Sequence, residues 1–524
     1  MKQEQPHTKT STETLTDATH ESPVDRHQTK QRRKLLIALA VLAVLIPLAL
    51  IAHRFRADVP VDYENPVEHF KWGSIGSEPG GSLVNAAGGL LPPYEIFRVL
   101  PQVCPDMLPG EGYASLGFLF ENGHEMPIGV SRRQRLGFDQ VGLNCAVCHT
   151  GTVRASPDDE PQILVGMPSH QLALQDFFRF VLDCTLDPRF DADNLLGKIA
   201  QAGTDLNAFD RFLFRLAVIP RTREQTLQLQ RQLRLIMGDE VTAWGPGRVD
   251  TFNPYKGMQF NWQLERLPIA ELTAASDFPS LWNQKPREGM DLHWDGNNSS
   301  LMERNLSASL GAGVTPVTID HERLTRVREW VYELPPPEYP FPIDRDLVSR
   351  GEAIYRVHCV ACHADHRFKE GIVTGDRVGK VEKLADVGTD PYRLSSYTEV
   401  FAANQYTLYP DSEYRFTHFK KTDGYANQPL DGIWARAPYL HNGSVPTLRA
   451  LLDPPEERPT VFYRGYDVFD QDDVGFVWNV RREGSREYFR YDTRLPSNSN
   501  SGHQWGTDLP DADKAAIVEY MKTF

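Results

Sequence analysis

The longest apolar feature is Leu35 to Ala52, eighteen residues without a charge. It approaches the roughly 20 residues needed to cross a bilayer and exceeds the roughly 7–15 of a signal-peptide core. Pro47 is tolerable in such a span. Beyond it the apolar spacing is helical in several places. His170 to Cys184 carries Leu172, Leu174, Phe177, Phe178, Val181 and Leu182 on one face. Arg223 to Met237 sets Leu227, Leu229, Leu233 and Leu235 against Gln and Arg positions that form a solvated face. Leu324 to Leu334 predicts another helix. So does Asp346 to Tyr355, with its stripe of Leu347, Val348, Gly351, Ile354 and Tyr355. The last helix starts with Asp511 as its N-cap and shows Ile517, Val518, Met521 and Phe524. Residues 60–110 are rich in Gly and Pro (Glu78-Pro79-Gly80-Gly81, Gly88-Gly89, Pro92-Pro93) and predict an extended, loop-rich stretch. Pro335-Pro336-Pro337, Pro340 and Pro342 predict a stiff linker.

Composition adds little except at the N-terminus. The 524 residues are 40% hydrophobic and 24% charged, enough for two or three domains. A net charge of −14 argues against nucleic acid or an anionic membrane surface as partner and suits a basic redox protein. Residues 1–34 are polar and lack an apolar period, which predicts a disordered tail. Lys30, Arg32, Arg33 and Lys34 precede the apolar run, and only Arg54 and Arg56 follow it closely. By the positive-inside rule the N-terminus is cytoplasmic and everything after residue 53 lies outside. A cleaved signal, with Ala49 and Ala52 near its end, and a buried core helix are the alternatives.

Two copies of one motif stand out: Cys145-Ala146-Val147-Cys148-His149 and Cys359-Val360-Ala361-Cys362-His363. Each reads as a c-type haem attachment site, with two thioether cysteines and His149 or His363 as the proximal iron ligand. A redox dithiol or half of a zinc site is the competing reading of a lone C-x-x-C. The motifs divide the chain. Residues 1–34 form the tail, 35–52 the transmembrane anchor and 53–334 the N-terminal haem domain. Residues 335–345 form the linker and 346–524 a C-terminal cytochrome c-like haem domain. The expected fold is mainly α with long loops, two such domains behind an N-terminal transmembrane helix. Covalent haem implies the periplasmic side of a bacterial inner membrane. There Cys104 and Cys184 form a disulfide or remain two buried thiols.

The sixth ligand decides whether an iron carries electrons or binds a substrate. Candidates for the second iron are His441, His503 and Met521, the last also fitting the apolar face of its helix. His124, His170 or His293 could fill the sixth position on the first. Arg436 and Arg248 are candidates to pair with haem propionates. Trp282 and Trp294, in an aromatic-rich stretch over residues 241–300, could wall the distal pocket or relay electrons.

The segment from Gly432 through Leu448, containing Ala437-Pro438-Tyr439-Leu440-His441-Asn442-Gly443, resembles the signature of the bacterial di-haem cytochrome c peroxidase superfamily, which includes the MauG-type enzymes. Asn144 to His149, Arg458 to Asp470 with Val474-Gly475-Phe476, and Asn500 to Gly506 with the final helix resemble the rubber oxygenase-like di-haem branch most closely. The resemblance covers residues 63–524. It implies a second iron with two His ligands, His363 and His503, and a first iron on His149 with an open distal side. Classical peroxidases use Met on the second iron; Leu448 to Leu452 offers none. Relatives also hold calcium between the domains, but no local acidic motif marks such a site here.

The expected function is that of a membrane-anchored periplasmic di-haem oxidoreductase. His149 holds the catalytic iron, which reacts with peroxide or dioxygen, and the second haem relays electrons from a redox protein or quinol-linked donor. The alternative is a non-catalytic electron-transfer cytochrome.

Overall fold

The structure, a computed structural model, describes residues 23–76 and 91–524. Residues 1–22, Glu78–Gly81 and Gly88–Gly89 lie outside the described residues. The chain divides into two units, the first ending at Ala57 and the second spanning Asp58–Phe524. The first unit is the helix Pro23–Arg56. Its Leu, Ile and Val side chains are exposed from Leu35 to Ile51. It is long and apolar enough to cross a membrane, a test that a signal sequence also passes. Residues 23–34, expected as part of a disordered tail, are helical and continuous with the apolar run.

The second unit corrects the expected mainly-α fold. Helices make up 43% of the chain, and the described residues contain seven small sheets, six of them two-stranded. These strands are mostly two to four residues long, too short for a period of two to show in sequence, and many are held by partners outside the local segment. The loop-rich stretch also contains two helices, Pro66–Trp72 and Tyr94–Val103. The other helices lie close to their predicted places: Leu174–Leu186, Ile219–Met237, His321–Tyr332, Arg345–His358 and Asp511–Met521.

The first motif follows a three-stranded antiparallel sheet of Asp58–Pro60, Val130–Arg135 and Phe138–Leu143. Asn144 caps the single turn Cys145–Cys148, accepting from the Ala146 N–H at 2.9 Å and donating to the Lys71 carbonyl at 3.2 Å. Gly129, at φ 87°, presses against this turn, and a Cβ there would lie 2.2 Å from the Val147 nitrogen. Behind it, Tyr94–Val103 and Leu174–Leu186 share a core of Phe97, Leu100, Phe177 and Val181. A Cys104–Cys184 disulfide, 80 residues apart in sequence, ties them. Closing a loop of that length is worth about 4 kcal/mol in the chain-entropy account.

The second motif follows Arg345–His358, capped by the Asp344 carboxylate on the Asp346 and Leu347 N–H groups. This helix crosses Asp511–Met521 at Gly351, where a Cβ would lie 1.9 Å from the Ala516 carbonyl oxygen. Asp511 is the first residue of its helix and not the cap; its carboxylate pairs with Arg449 at 2.8 Å. Pro337, in the proline-rich linker, accepts a hydrogen bond from the Trp434 indole at 3.0 Å. One core joins Val153, Met167 and Trp282 to Trp434, Val445 and Phe469.

Candidate functional site

His149 is held from behind. Its Nδ1–H donates to the Pro279 carbonyl at 2.7 Å, which leaves Nε2 as the lone-pair nitrogen. Burial pushes the imidazole down to about 4, so the ring is neutral at physiological pH. His363 is built the same way, with Nδ1–H donating to the Gln428 carbonyl at 2.9 Å and burial again lowering its pKa. The Cys148 thiol is pushed up by burial, and Cys359 is pushed up to about 12 by burial and its neighbour Cys362. A dithiol catalyst needs the opposite shift. No group of three or more metal-ligating side chains forms among the described residues.

The two histidines face different surroundings. The His503 ring lies 6.1 Å from that of His363, centroid to centroid. Two metal–nitrogen bonds of about 2.0–2.1 Å plus two ring radii of about 1.1 Å place centroids about 6.3 Å apart, so the pair can grip one metal ion. Burial, with His363 beside it, lowers His503 to about 3, which keeps this ring neutral too. His149, by contrast, opens on a cavity of about 360 Å³. Its one described ring contact is with Phe278, at 6.5 Å.

Four arginines line this cavity. Arg287 and Arg436 both bond Asp431, at 2.5 and 2.9 Å, and Arg393 bonds Asp295 at 2.8 Å. Arg304 has no acidic partner among the described residues. Burial, with Arg287 nearby, pushes its guanidinium down to about 10. A half-buried cation without a direct ion pair favours an anionic group beside it in the cavity, whose lining also includes Asp250 and Asp277. Arg304 is absent from the sequence-based candidates, because an arginine on a helix reveals its lack of partners only after folding.

Of the residues expected at the first iron, His293 alone lines the cavity with His149. It has φ 63° and its Nδ1 meets Asn297 Oδ1. His124 stacks on Trp72 at 3.4 Å, and His170 stacks on Phe476 at 3.6 Å beside a separate small cavity. Trp282 and Trp294 both line the main cavity. The Trp282 indole donates to the Asp431 carbonyl at 2.9 Å, and its ring packs between Gly166 and Gly432. Of the residues expected at the second iron, His441 meets the Tyr425 hydroxyl at 3.1 Å and Met521 belongs to the core. Arg436 lines the cavity, its Nε without a partner. Arg248 does not line it; it is fully buried, donating to the Asn498 side chain and the Ala275 and Ser497 carbonyls.

Residues 424–463 match the family described as RoxA-like, cytochrome c-like. The chain carries a RoxA-like cytochrome c segment. Such a segment implies covalently bound haem c, and it includes Gln428, which orients His363, and Arg436. Two relatives come from Sinorhizobium fredii strain NBRC 101917 / NGR234. Uncharacterized protein y4iM is 31% identical over 300 residues, which is 49% of this chain and 65% of the relative. The chain thus spans about two thirds of that protein's length. Uncharacterized protein y4iJ is 25% identical over 549 residues, 82% of this chain and 88% of the relative.

Proposed function

We propose that the chain is a di-haem c-type cytochrome oxidoreductase, anchored through residues 35–52 with both haems on the periplasmic side. Cys145, Cys148 and His149 hold the first haem; Cys359, Cys362, His363 and His503 hold the second. The observation that carries this reading is an asymmetry: His363 has a second imidazole at ligand distance, whereas His149 faces a cavity. His149, facing a cavity, would hold a haem open to the chemistry of peroxide or dioxygen, and His363 with His503 would hold one suited to passing electrons. Likeness to the di-haem peroxidase superfamily and its rubber oxygenase-like branch supports the same division of labour.

The side chains of the cavity have separable tasks. Pro279 and Gln428 fix the tautomers of the two proximal imidazoles. Arg304 and the Arg436 Nε, which has no hydrogen-bond partner among the described residues, would supply charge and a donor to a haem carboxylate held in the cavity. Trp282 lines the cavity and hydrogen-bonds to Asp431 in the cytochrome c segment, which makes it the better electron relay of the two tryptophans. Removing the Arg304 charge favours the oxidised iron. In Arg304→Met the midpoint potential of the first haem is therefore expected to fall while that of the second stays, read by spectroelectrochemistry.

The test of the whole reading is low-temperature EPR with optical spectra on the purified protein, oxidised, then with peroxide, then reduced with carbon monoxide. One ligand-accessible high-spin haem beside one low-spin haem is expected. The second reading, a pure electron carrier, is favoured by His293 in the cavity. Two low-spin haems inert to both ligands would establish it.

A further inference from the structure

We propose that Arg458 is a positioning residue that sets the axial ligation of the second iron, by locking the backbone that presents His503. The proposal rests on His503 being the sixth ligand.

Arg458 is 2% exposed and pairs with no carboxylate among the described residues. Its guanidinium spends every donor atom on backbone carbonyls. Nε donates to Asp453 at 2.9 Å, and Nη2 to Leu451 at 3.1 Å. The remaining bonds converge on the ligand loop: Nη1 to Asn500 at 2.7 Å and Gly502 at 2.8 Å, Nη2 to His503 itself at 3.0 Å. One planar fork thus ties the 451–453 turn to the carbonyls on both sides of the Gly502–His503 peptide.

The loop needs such a tie. His503 sits at φ 51° and Gly502 at φ 80°, conformations that carbonyl contacts can over-determine but that local preference disfavours for histidine. The opposite side is closed by the 387–389 turn. The His503 N–H donates to the Val387 carbonyl at 2.8 Å, and a Cβ on Gly502 would lie 2.4 Å from that oxygen. The imidazole has no hydrogen bond at Nδ1 among the described residues, unlike Nδ1 of His363, and its ring meets only the edge of Trp505 at 5.4 Å among the described ring contacts other than His363. The placement of His503 therefore rests mainly on its backbone, and Arg458 is the side chain that ties that backbone down.

The experiment compares the full-length protein with His503→Ala, Arg458→Met, Arg458→Lys and Gly502→Ala by EPR and by carbon monoxide difference spectra of the second haem. His503→Ala is expected to abolish the low-spin signal of that haem. Arg458→Met is expected to do the same in most molecules while the first haem's spectrum is unchanged. Arg458→Lys, which keeps the charge but not the fork, should fall between. Excess imidazole should restore the low-spin signal in both His503→Ala and Arg458→Met. An Arg458→Met protein that keeps a fully low-spin, carbon monoxide-inert second haem overturns the proposal. If Arg458→Met does not fold, Arg458→Lys and Gly502→Ala decide: ligation loss in both supports the clamp, and none in either refutes it. If His503→Ala leaves the second haem low-spin, the ligand assignment fails and the clamp with it.

Discussion

Replacing His149 by Ala is expected to abolish reaction with peroxide while leaving one low-spin haem in place. His149 is the only imidazole that the first motif offers, and the Pro279 carbonyl already fixes its tautomer and direction. Losing a partner of a ligand typically costs about 10–100-fold; losing the ligand itself should exceed that. The second motif shares none of these contacts, since His363 is oriented by the Gln428 carbonyl and faced by His503. Stopped-flow peroxide kinetics with EPR on the same sample is the check. A variant that retained wild-type rates would move the chemistry to the second haem and overturn the assigned roles.

Gly351→Ala is expected to be the most disruptive small change in the second unit. A methyl there points at the Ala516 carbonyl from 1.9 Å, and backbone rather than a pliable side chain stands in its way. The Arg345–His358 and Asp511–Met521 helices must separate, costing about 3 kcal/mol or more by comparison with overpacked cores. The first helix leads directly into Cys359, so the damage reaches the second haem. Thermal unfolding followed at the second haem's absorbance should show a lower Tm, with a smaller change at the first. An unchanged Tm would mean that the two helices do not cross at this point.

What the sequence revealed follows from how local each signal is. C-x-x-C-H packs its chemistry into five residues, so both motifs are legible at once. The Gly351 stripe was legible because helical periodicity repeats within fourteen residues. The residues alone leave His503 one of three candidates with His441 and Met521, and only the resemblance singles it out, since His363 lies far away in sequence. Arg248 looked equally suited to a propionate, yet its partners at 497 and 498 hold it elsewhere. Arg304 carries no signal in the sequence, because its meaning is the lack of a directly paired carboxylate among the described residues. The ribbons were missed for a related reason: Val461–Arg464 pairs with Phe489–Asp492, and neither is long enough to declare its partner.

Gln428 touches the surroundings of both motifs. Its carbonyl orients His363, while its amide donates to the Asp291 carbonyl at 3.1 Å and its side chain reaches the cavity in front of His149. A guest that shifted that wall would pull on the carbonyl that orients His363. On the proposed two-haem reading, occupancy in front of His149 would therefore register in the potential of the haem held by His363.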